Sequence, residues 1–356
     1  MKTSQPTAGA ASTHDVDRIP PTMSAAVYRR FGPPDVIHVE TVPTPKPGPD
    51  EILIRVVAST VSIADHRARS RSVPRGLLLL AALGLGFFRP RHHILGMDAA
   101  GVVEAVGADV TRFVPGDEVI TMLGGRWGGH GSYVCVKADG PVAAKPRTMG
   151  FDEAASLVFG GITARGFLNQ VDISPGDWVL VNGASGAVGT AAVQLAKQLG
   201  ARVTAVCSDT KADLVRSLGA DRVIDYRTHD VTSDGESYDV IIDCAGTAGF
   251  ERVGASISPG GALLMVVTDL RGMMRASKDS RTSGKLVTYR VGEYRAQDLA
   301  YLVGLAESGR YRPVIDRTYD LADIVDAHRY VDTGRKTGNV VLRVAPDPSP
   351  LGAPLD

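Results

Sequence analysis

The sequence predicts an α/β protein that combines a mostly β half with a doubly wound parallel sheet, and three observations carry that expectation. At 356 residues, the chain is long enough for about two domains of roughly 150 residues each. From Met23 to about Gly150, short β-type runs are broken by turn residues. After Phe151 the pattern changes to strands alternating with helical stretches, the mark of βαβ units.

Taken in order, residues 1–22 are rich in Ser, Thr, Ala and Pro with no apolar centre, so they read as a flexible tail with Met23 as an alternative start. The β-type runs are AAVY at 25–28, EILIRVVAST at 51–60, AAGVVEAVG at 99–107, DEVITM at 117–122 and SYVCV at 132–136. Pro43, Pro45, Pro47 and Pro49 punctuate the first long loop, and Pro115-Gly116 marks a later turn. In the second half, WVLVNG (178–183), RVTAVC (202–207), DRVIDY (221–226), YDVIIDCA (238–245) and GALLMVV (261–267) read as strands. Thr190 to Leu199 and Ala212 to Leu218 read as the helices between the first of them. A helix from Leu321 to Tyr330 and a strand NVVLRV (339–344) close the fold, and 346–356 form a Pro-rich tail.

Composition excludes several function classes. Thirty-nine basic residues against 39 acidic ones leave no global field for nucleic-acid phosphates. Cys135, Cys207 and Cys244 lie far apart, forming neither a disulfide framework nor a zinc cage, which fits a reducing cytoplasm. The longest apolar run, Leu77 to Phe88, falls short of the about 20 residues that cross a bilayer, so no stable membrane insertion is expected. Three readings of that run stay open: a buried or half-buried helix, a hydrophobic lid, or a membrane-surface contact flanked by Arg75, Arg89 and Arg91.

The motif Gly183-Ala184-Ser185-Gly186-Ala187-Val188-Gly189 follows a predicted strand and opens a predicted helix, the context in which a glycine pattern signals a dinucleotide site. Gly186 lets the backbone approach a pyrophosphate, Gly189 lets the helix pack on the strand, and the helix start offers free N–H groups. Ala184, Ser185, Gly186, Ala187 and Val188 are therefore cofactor-binding candidates. An NAD-selecting site ends its second strand with a carboxylate, but 19 residues past Gly189 stands Ser208. With Lys211 and Tyr226 nearby, this favours NADPH, and a one-residue shift to Asp209 keeps NADH open.

NGASGAVGTAAVQLAKQLGARV (182–203), RSLGADRVIDY (216–226), ILGMDAAGVVEAVGADVTRFVPGDEV (94–119) and GNVVLRV (338–344) resemble the zinc-independent medium-chain dehydrogenase/reductases, above all the quinone oxidoreductases. That resemblance implies a GroES-like, mostly β catalytic domain from 23–150 and 291–345, a Rossmann domain over 151–290, and substrate and nicotinamide meeting between them. It implies a homodimer or homotetramer. It also brings the region of Ala155, Ser156 and Thr163, and the turn Gly338-Asn339, toward the cofactor. Where the zinc-bearing branch has its ligands, this chain has Ser62, Gly96-Met97-Asp98 and Phe159. Ser, Met and Phe do not supply a zinc site, so no metal is expected.

Without a metal, the expected acceptor is a small quinone or α,β-unsaturated carbonyl, whose conjugation absorbs the incoming charge. Asp65 and His66 are candidate proton relays. Asp98 matches an acidic family position, with pairing to an arginine as its structural alternative, and Arg67, Arg69, Arg71 and Arg75 read as a solvated charged face. An alcohol or aldehyde dehydrogenase of the same fold and a noncatalytic NADP(H)-binding interaction protein are the competing readings. The Tyr-x-x-x-Lys pair of short-chain reductases occurs only at Tyr133 and Lys137, upstream of the glycine motif in a predicted strand.

Overall fold

The computed structural model describes residues 19–347; the predicted tails otherwise lie outside the described residues. In chain order, β1 (Thr22–Tyr28), β2 (Ile37–Pro43) and β3 (Glu51–Thr60) are followed by helices α1 (Ile63–Ser70) and α2 (Leu78–Leu85). Strands β4 (Asp98–Val106), β5 (Glu118–Met122), β6 (Tyr133–Lys137) and β7 (Val142–Ala144) come next, then α3 (Phe151–Leu168). The alternating part runs β8 (Trp178–Asn182), α4 (Ala187–Gln198), β9 (Arg202–Cys207), α5 (Ala212–Ser217), β10 (Arg222–Asp225), β11 (Tyr238–Asp243) and α6 (Phe250–Val253). It continues through β12 (Ile257–Met265), α7 (Leu270–Ser283) and β13 (Leu286–Thr288). The chain ends through α8 (Ala296–Glu307), β14 (Ile315–Asp320), α9 (Ile324–Asp332) and β15 (Asn339–Arg343).

The second half forms the doubly wound sheet, six parallel strands in the order β10-β9-β8-β11-β12-β13. Helices cover both of its faces, which is why β8 and β11 read as nearly continuous apolar runs rather than alternating ones. The order reverses between β8 and β11, the point at which such sheets open a crevice at their carboxyl ends. Antiparallel β1 and β2 stand apart, while the other β-half strands make a seven-stranded sheet, β14-β15-β3-β4-β5-β7 with β6 also on β3. β15 pairs antiparallel with β3, Val341 opposite Thr60, so the end of the chain completes the first sheet.

Helix α3 joins the two halves. Thirteen of its 18 residues are buried, so it lacks the polar face that marks a surface helix, and sequence patterning assigned it no element. One apolar cluster runs from Val57, Ala58 and Ile120 through α3 and α4 to Val179 and Val181. Gly160 makes the crossing possible, since a Cβ there would stand 2.4 Å from the Ala187 carbonyl at the start of α4.

Two expectations about the segment between β3 and β4 are corrected. Helix α2 buries only Ala82 and rests Leu85 on the core, while Leu78, Leu79, Leu80 and Leu83 are each at least half exposed and Phe88 is 94% exposed, so most of the apolar run faces outward. Arg69, expected on a solvated face, is fully buried between α1 and α9. Its guanidinium donates to both Asp332 carboxylate oxygens, at 2.6 and 2.5 Å, and to the Gly32 carbonyl at 2.6 Å. That full pairing makes a buried arginine tolerable.

Candidate functional site

The candidate coenzyme site begins at the turn from β8 into α4. Gly183 holds φ at 75°, a left-handed conformation that favours glycine. A Cβ on Gly189 would lie 2.2 Å from the Gly183 carbonyl, so only glycine lets α4 press onto this turn. Gly186 differs: a Cβ there would find nothing nearer than the Gly183 carbonyl at 3.7 Å, so its front is open. No side chain caps α4 at Gly186, leaving the first-turn N–H groups without an intrahelical partner. An uncapped helix start behind a glycine with free space in front suits a pyrophosphate.

A cleft of about 450 Å³ opens here, its walls including Gly183, Ser185, Gly186, Tyr226, Ala245 and Lys336. The last strand's approach supplies the far wall: the Gly338 N–H donates to the Ser185 carbonyl at 2.8 Å, bridging the two sheets at the glycine loop. Lys336 is the residue that sequence reasoning missed. It lies 147 positions beyond Gly189 along the chain, and only the return of the C-terminal strand brings it here. Its ammonium donates to the Gly338 carbonyl at 2.6 Å. Burial pushes its pKa down to about 8, against the pull of Asp316 and Asp65.

The other predicted cofactor residues are distributed around this cleft. Ala184 is buried behind the loop, while Ala187 and Val188 form the first turn of α4 with their side chains in the core. Tyr226 is 62% exposed at the rim. Ser208 follows β9, its Oγ 3.0 Å from Thr210 Oγ1, and its carbonyl accepts from the Lys211 N–H at 2.8 Å. Asn339 spends its amide on the Val314 carbonyl at 3.1 Å, a structural bond between β15 and the loop before β14. Thr163, on α3, is buried with no hydrogen-bond partner of normal geometry for its hydroxyl. The Tyr294 phenol lies beside it, and the Tyr294 ring comes within 3.9 Å of the Cβ position of Gly124. Burial raises the Tyr294 pKa, so the phenol keeps its proton.

The predicted proton relays occupy structural positions. Ser62 caps α1, and its N–H and hydroxyl donate to Asp65 Oδ2 at 2.7 and 2.5 Å. Asp65 Oδ1 accepts from the Gly96 N–H at 2.8 Å, so both carboxylate oxygens tie the start of α1 to the loop before β4. His66 Nδ1 lies 2.5 Å from Asp332 Oδ1, within the Arg69 pair. Among the described residues Asp98 pairs with no arginine, the structural alternative the sequence left open for it. It accepts from the Thr60 N–H at 2.7 Å and from the Thr60 hydroxyl at 2.5 Å, and burial drives its pKa up to about 7.

A reduced or oxidised nicotinamide dinucleotide fits this site, by the open front of Gly186 and the uncapped α4. Zinc does not fit the positions the metal-bearing branch uses. Those side chains are a hydroxyl already bound to Asp65, the Met97 thioether and the Phe159 ring. Among the described residues no group of three or more His, Cys, Asp or Glu side chains is placed to hold a metal ion.

Sheet order, crevice and glycine loop are those of a dinucleotide-binding fold. Residues 48–147 match the alcohol dehydrogenase GroES-like domain, and residues 218–342 match a family described as zinc-binding dehydrogenase. A chloroplastic quinone-oxidoreductase of Triphysaria versicolor is 34% identical over 86% of this chain and 93% of its own length. The 2-methylene-furan-3-one reductase of Solanum lycopersicum is 32% identical over 95% of this chain and 84% of its own. Among solved structures, the quinone oxidoreductase of Coxiella burnetii superposes with a TM-score of 0.80 at 27% identity, covering 91% of this chain and 100% of that one. The chain belongs to the medium-chain dehydrogenase/reductase superfamily, among its quinone-oxidoreductase-like members. Members of this superfamily bind NAD(P)H.

Proposed function

We propose that the protein reduces a quinone or an α,β-unsaturated carbonyl with hydride from NADPH, using no catalytic metal. The observation that carries this reading is the pairing of an open, uncapped coenzyme loop with Ser62, Met97 and Phe159 at the family's metal positions. When bound, NADPH supplies the hydride. The chain's own residues bind and orient it: the N–H groups of Gly186 to Val188 and the Lys336 ammonium hold the pyrophosphate, and Ser208, Lys211 and Tyr226 receive the 2′-phosphate. Thr163, beside the Tyr294 phenol, donates its hydroxyl to the nicotinamide end. A conjugated acceptor spreads the added charge over its oxygen, so one proton source and ordered geometry suffice.

Tyr294 is the proposed proton source, being protonated by virtue of burial and set beside Thr163. Tyr294→Phe removes that proton while keeping the ring, and a fall in kcat of about 10²-fold with unchanged NADPH affinity is expected. Wild-type kinetics in Tyr294→Phe would remove it from the reaction. Two further parts of the reading have simple support: three unbridged cysteines fit a reducing cytoplasm, and the open edge of β13 leaves room for pairing between subunits.

The whole reading is tested by single-turnover oxidation of NADPH and NADH against a panel of quinones, enones, aldehydes and alcohols. Rapid oxidation of NADPH with the quinones or enones is expected. Zinc-dependent alcohol oxidation would overturn it, as would tight coenzyme binding with no turnover on any acceptor.

A further inference from the structure

The segment from His66 to His93 holds six arginines and no carboxylate, in a chain whose overall charge is zero. At its centre lies α2, LLLAALGL, a helix without a polar side chain on any face. Eleven large hydrophobic side chains are exposed among the described residues, and six of them, Leu78, Leu79, Leu80, Leu83, Phe87 and Phe88, belong to this one stretch. A helix apolar all round is normally buried. This one has solvent on most sides, and its exposed flanks are cationic: Arg75 before it, Arg89 and Arg91 after it.

The apron extends onto the neighbouring domain. The Leu270 N–H at the start of α7 donates to the Arg75 carbonyl at 3.0 Å, and α7 then exposes Met274, at 74%, together with Lys278 and with Arg271, which pairs with Glu251 at 2.9 Å. Apolar side chains set among arginines have the chemistry of an interfacial anchor: leucines and phenylalanines enter the acyl boundary while guanidinium groups meet lipid phosphates. An octapeptide helix is too short to span a bilayer but long enough to lie in its surface.

We propose that α2 and its arginine flanks dock the protein on an anionic lipid bilayer. Charge complementarity selects this occupant. A second copy of the chain would set arginines against arginines across the patch, whereas anionic lipid neutralises them. A lipophilic acceptor concentrates in such a surface, but docking itself depends on neither coenzyme nor acceptor.

The test is flotation of the full chain with vesicles of phosphatidylcholine alone or with about 25% phosphatidylglycerol, in the absence of coenzyme and acceptor. Binding is expected to the anionic vesicles and to weaken at high salt. Arg89→Glu and Arg91→Glu should each weaken it by about fivefold or more, and Leu79→Ser combined with Phe88→Ser should abolish it while leaving the melting curve unchanged. No flotation with anionic vesicles at low salt would overturn the proposal, as would flotation that these variants do not alter. Sedimentation velocity covers the other occupant: an oligomer dissociated by the Leu79→Ser/Phe88→Ser pair, with no vesicle binding, would assign the patch to a second copy and overturn the lipid reading. Because no catalysis is measured, failure here leaves the hydride-transfer reading untouched.

Discussion

The two walls of the candidate coenzyme cleft are built on opposite plans. The wall from β8 into α4 is local: seven consecutive residues make the turn, and its chemistry belongs to the backbone. The facing wall is assembled from Lys336 and Gly338, with Thr163 and Tyr294 deeper in the molecule, residues drawn from three distant stretches of chain. Backbone chemistry needs only the absence of side chains at set spacings, so it tolerates drift elsewhere. Side-chain chemistry needs long-range packing to deliver each group.

The largest effect should come from the local wall, and it separates two glycines. Gly189→Val forces a Cβ against the Gly183 carbonyl at 2.2 Å and the Ala184 Cα at 2.7 Å, both backbone atoms that cannot yield. Little folded protein is expected, read by expression and thermal melting. Gly186→Ala places its Cβ in open space at an ordinary φ of −81°. It should fold normally and lose coenzyme affinity by about tenfold or more in titration calorimetry, because the methyl stands where the pyrophosphate approaches. Equal melting and equal affinity for both variants would break the distinction.

On the assembled wall, Lys336→Met is expected to weaken coenzyme binding by about tenfold, with a flatter dependence on salt. The pH profile gives a sharper reading. Because burial holds the Lys336 pKa down to about 8, its charge is present below that pH and lost above it. Wild-type affinity should therefore fall as pH rises from 7 to 9, and Lys336→Met should lack that fall. A wild-type affinity flat across this range would exclude the ammonium from phosphate binding.

These contrasts explain how much was legible in the sequence. The glycine loop, the strand alternation after Phe151 and the return of NVVLRV each depend on local pattern, and each stands where the pattern put it. Helix α3 escaped because burial on all sides erased its periodicity. Asp65 drew attention as an ionisable residue in the right loop, yet a carboxylate three positions after Ser62 is also the signature of a capping box, and that local role consumed both its oxygens. Lys336 and Tyr294 carried no local signal at all. A lysine next to the Gly338 turn becomes informative only once that turn is known to touch Ser185.

Asp98 allows the same contrast to be drawn from stability. Its pKa rises on folding from 3.8 to about 7, chiefly through burial. Below pH 4 the group is neutral in both states and costs nothing. Between the two values the folded protein binds the extra proton, so stability falls as pH rises, and above about 7 the full cost remains. Asp98→Asn keeps an oxygen for the Thr60 N–H and presents an amide to the Thr60 hydroxyl. It should stabilise the fold at pH 8 by about 1 kcal/mol or more and change it little at pH 4. A larger gain at pH 4 than at pH 8 would reverse the assigned sign.

The smallest effect is expected at His66, and it bears on whether α1 takes part in the chemistry. Its imidazole meets Asp332 at 2.5 Å, but Asp332 is already held by two bonds from buried Arg69, so removing the ring strands no buried charge. His66→Ala should cost under about 1 kcal/mol, as partly exposed ion pairs do, and leave kcat within about twofold of wild type. Arg69→Ala, by contrast, leaves Asp332 with the His66 imidazole alone, strands the Gly32 carbonyl and opens a hole between α1 and α9, at a cost of about 3 kcal/mol or more. If His66→Ala instead lowered kcat by about 10²-fold with stability intact, the relay would run through α1 after all. The proton would then come from α1 and not from Tyr294, and Tyr294→Phe should then retain its rate.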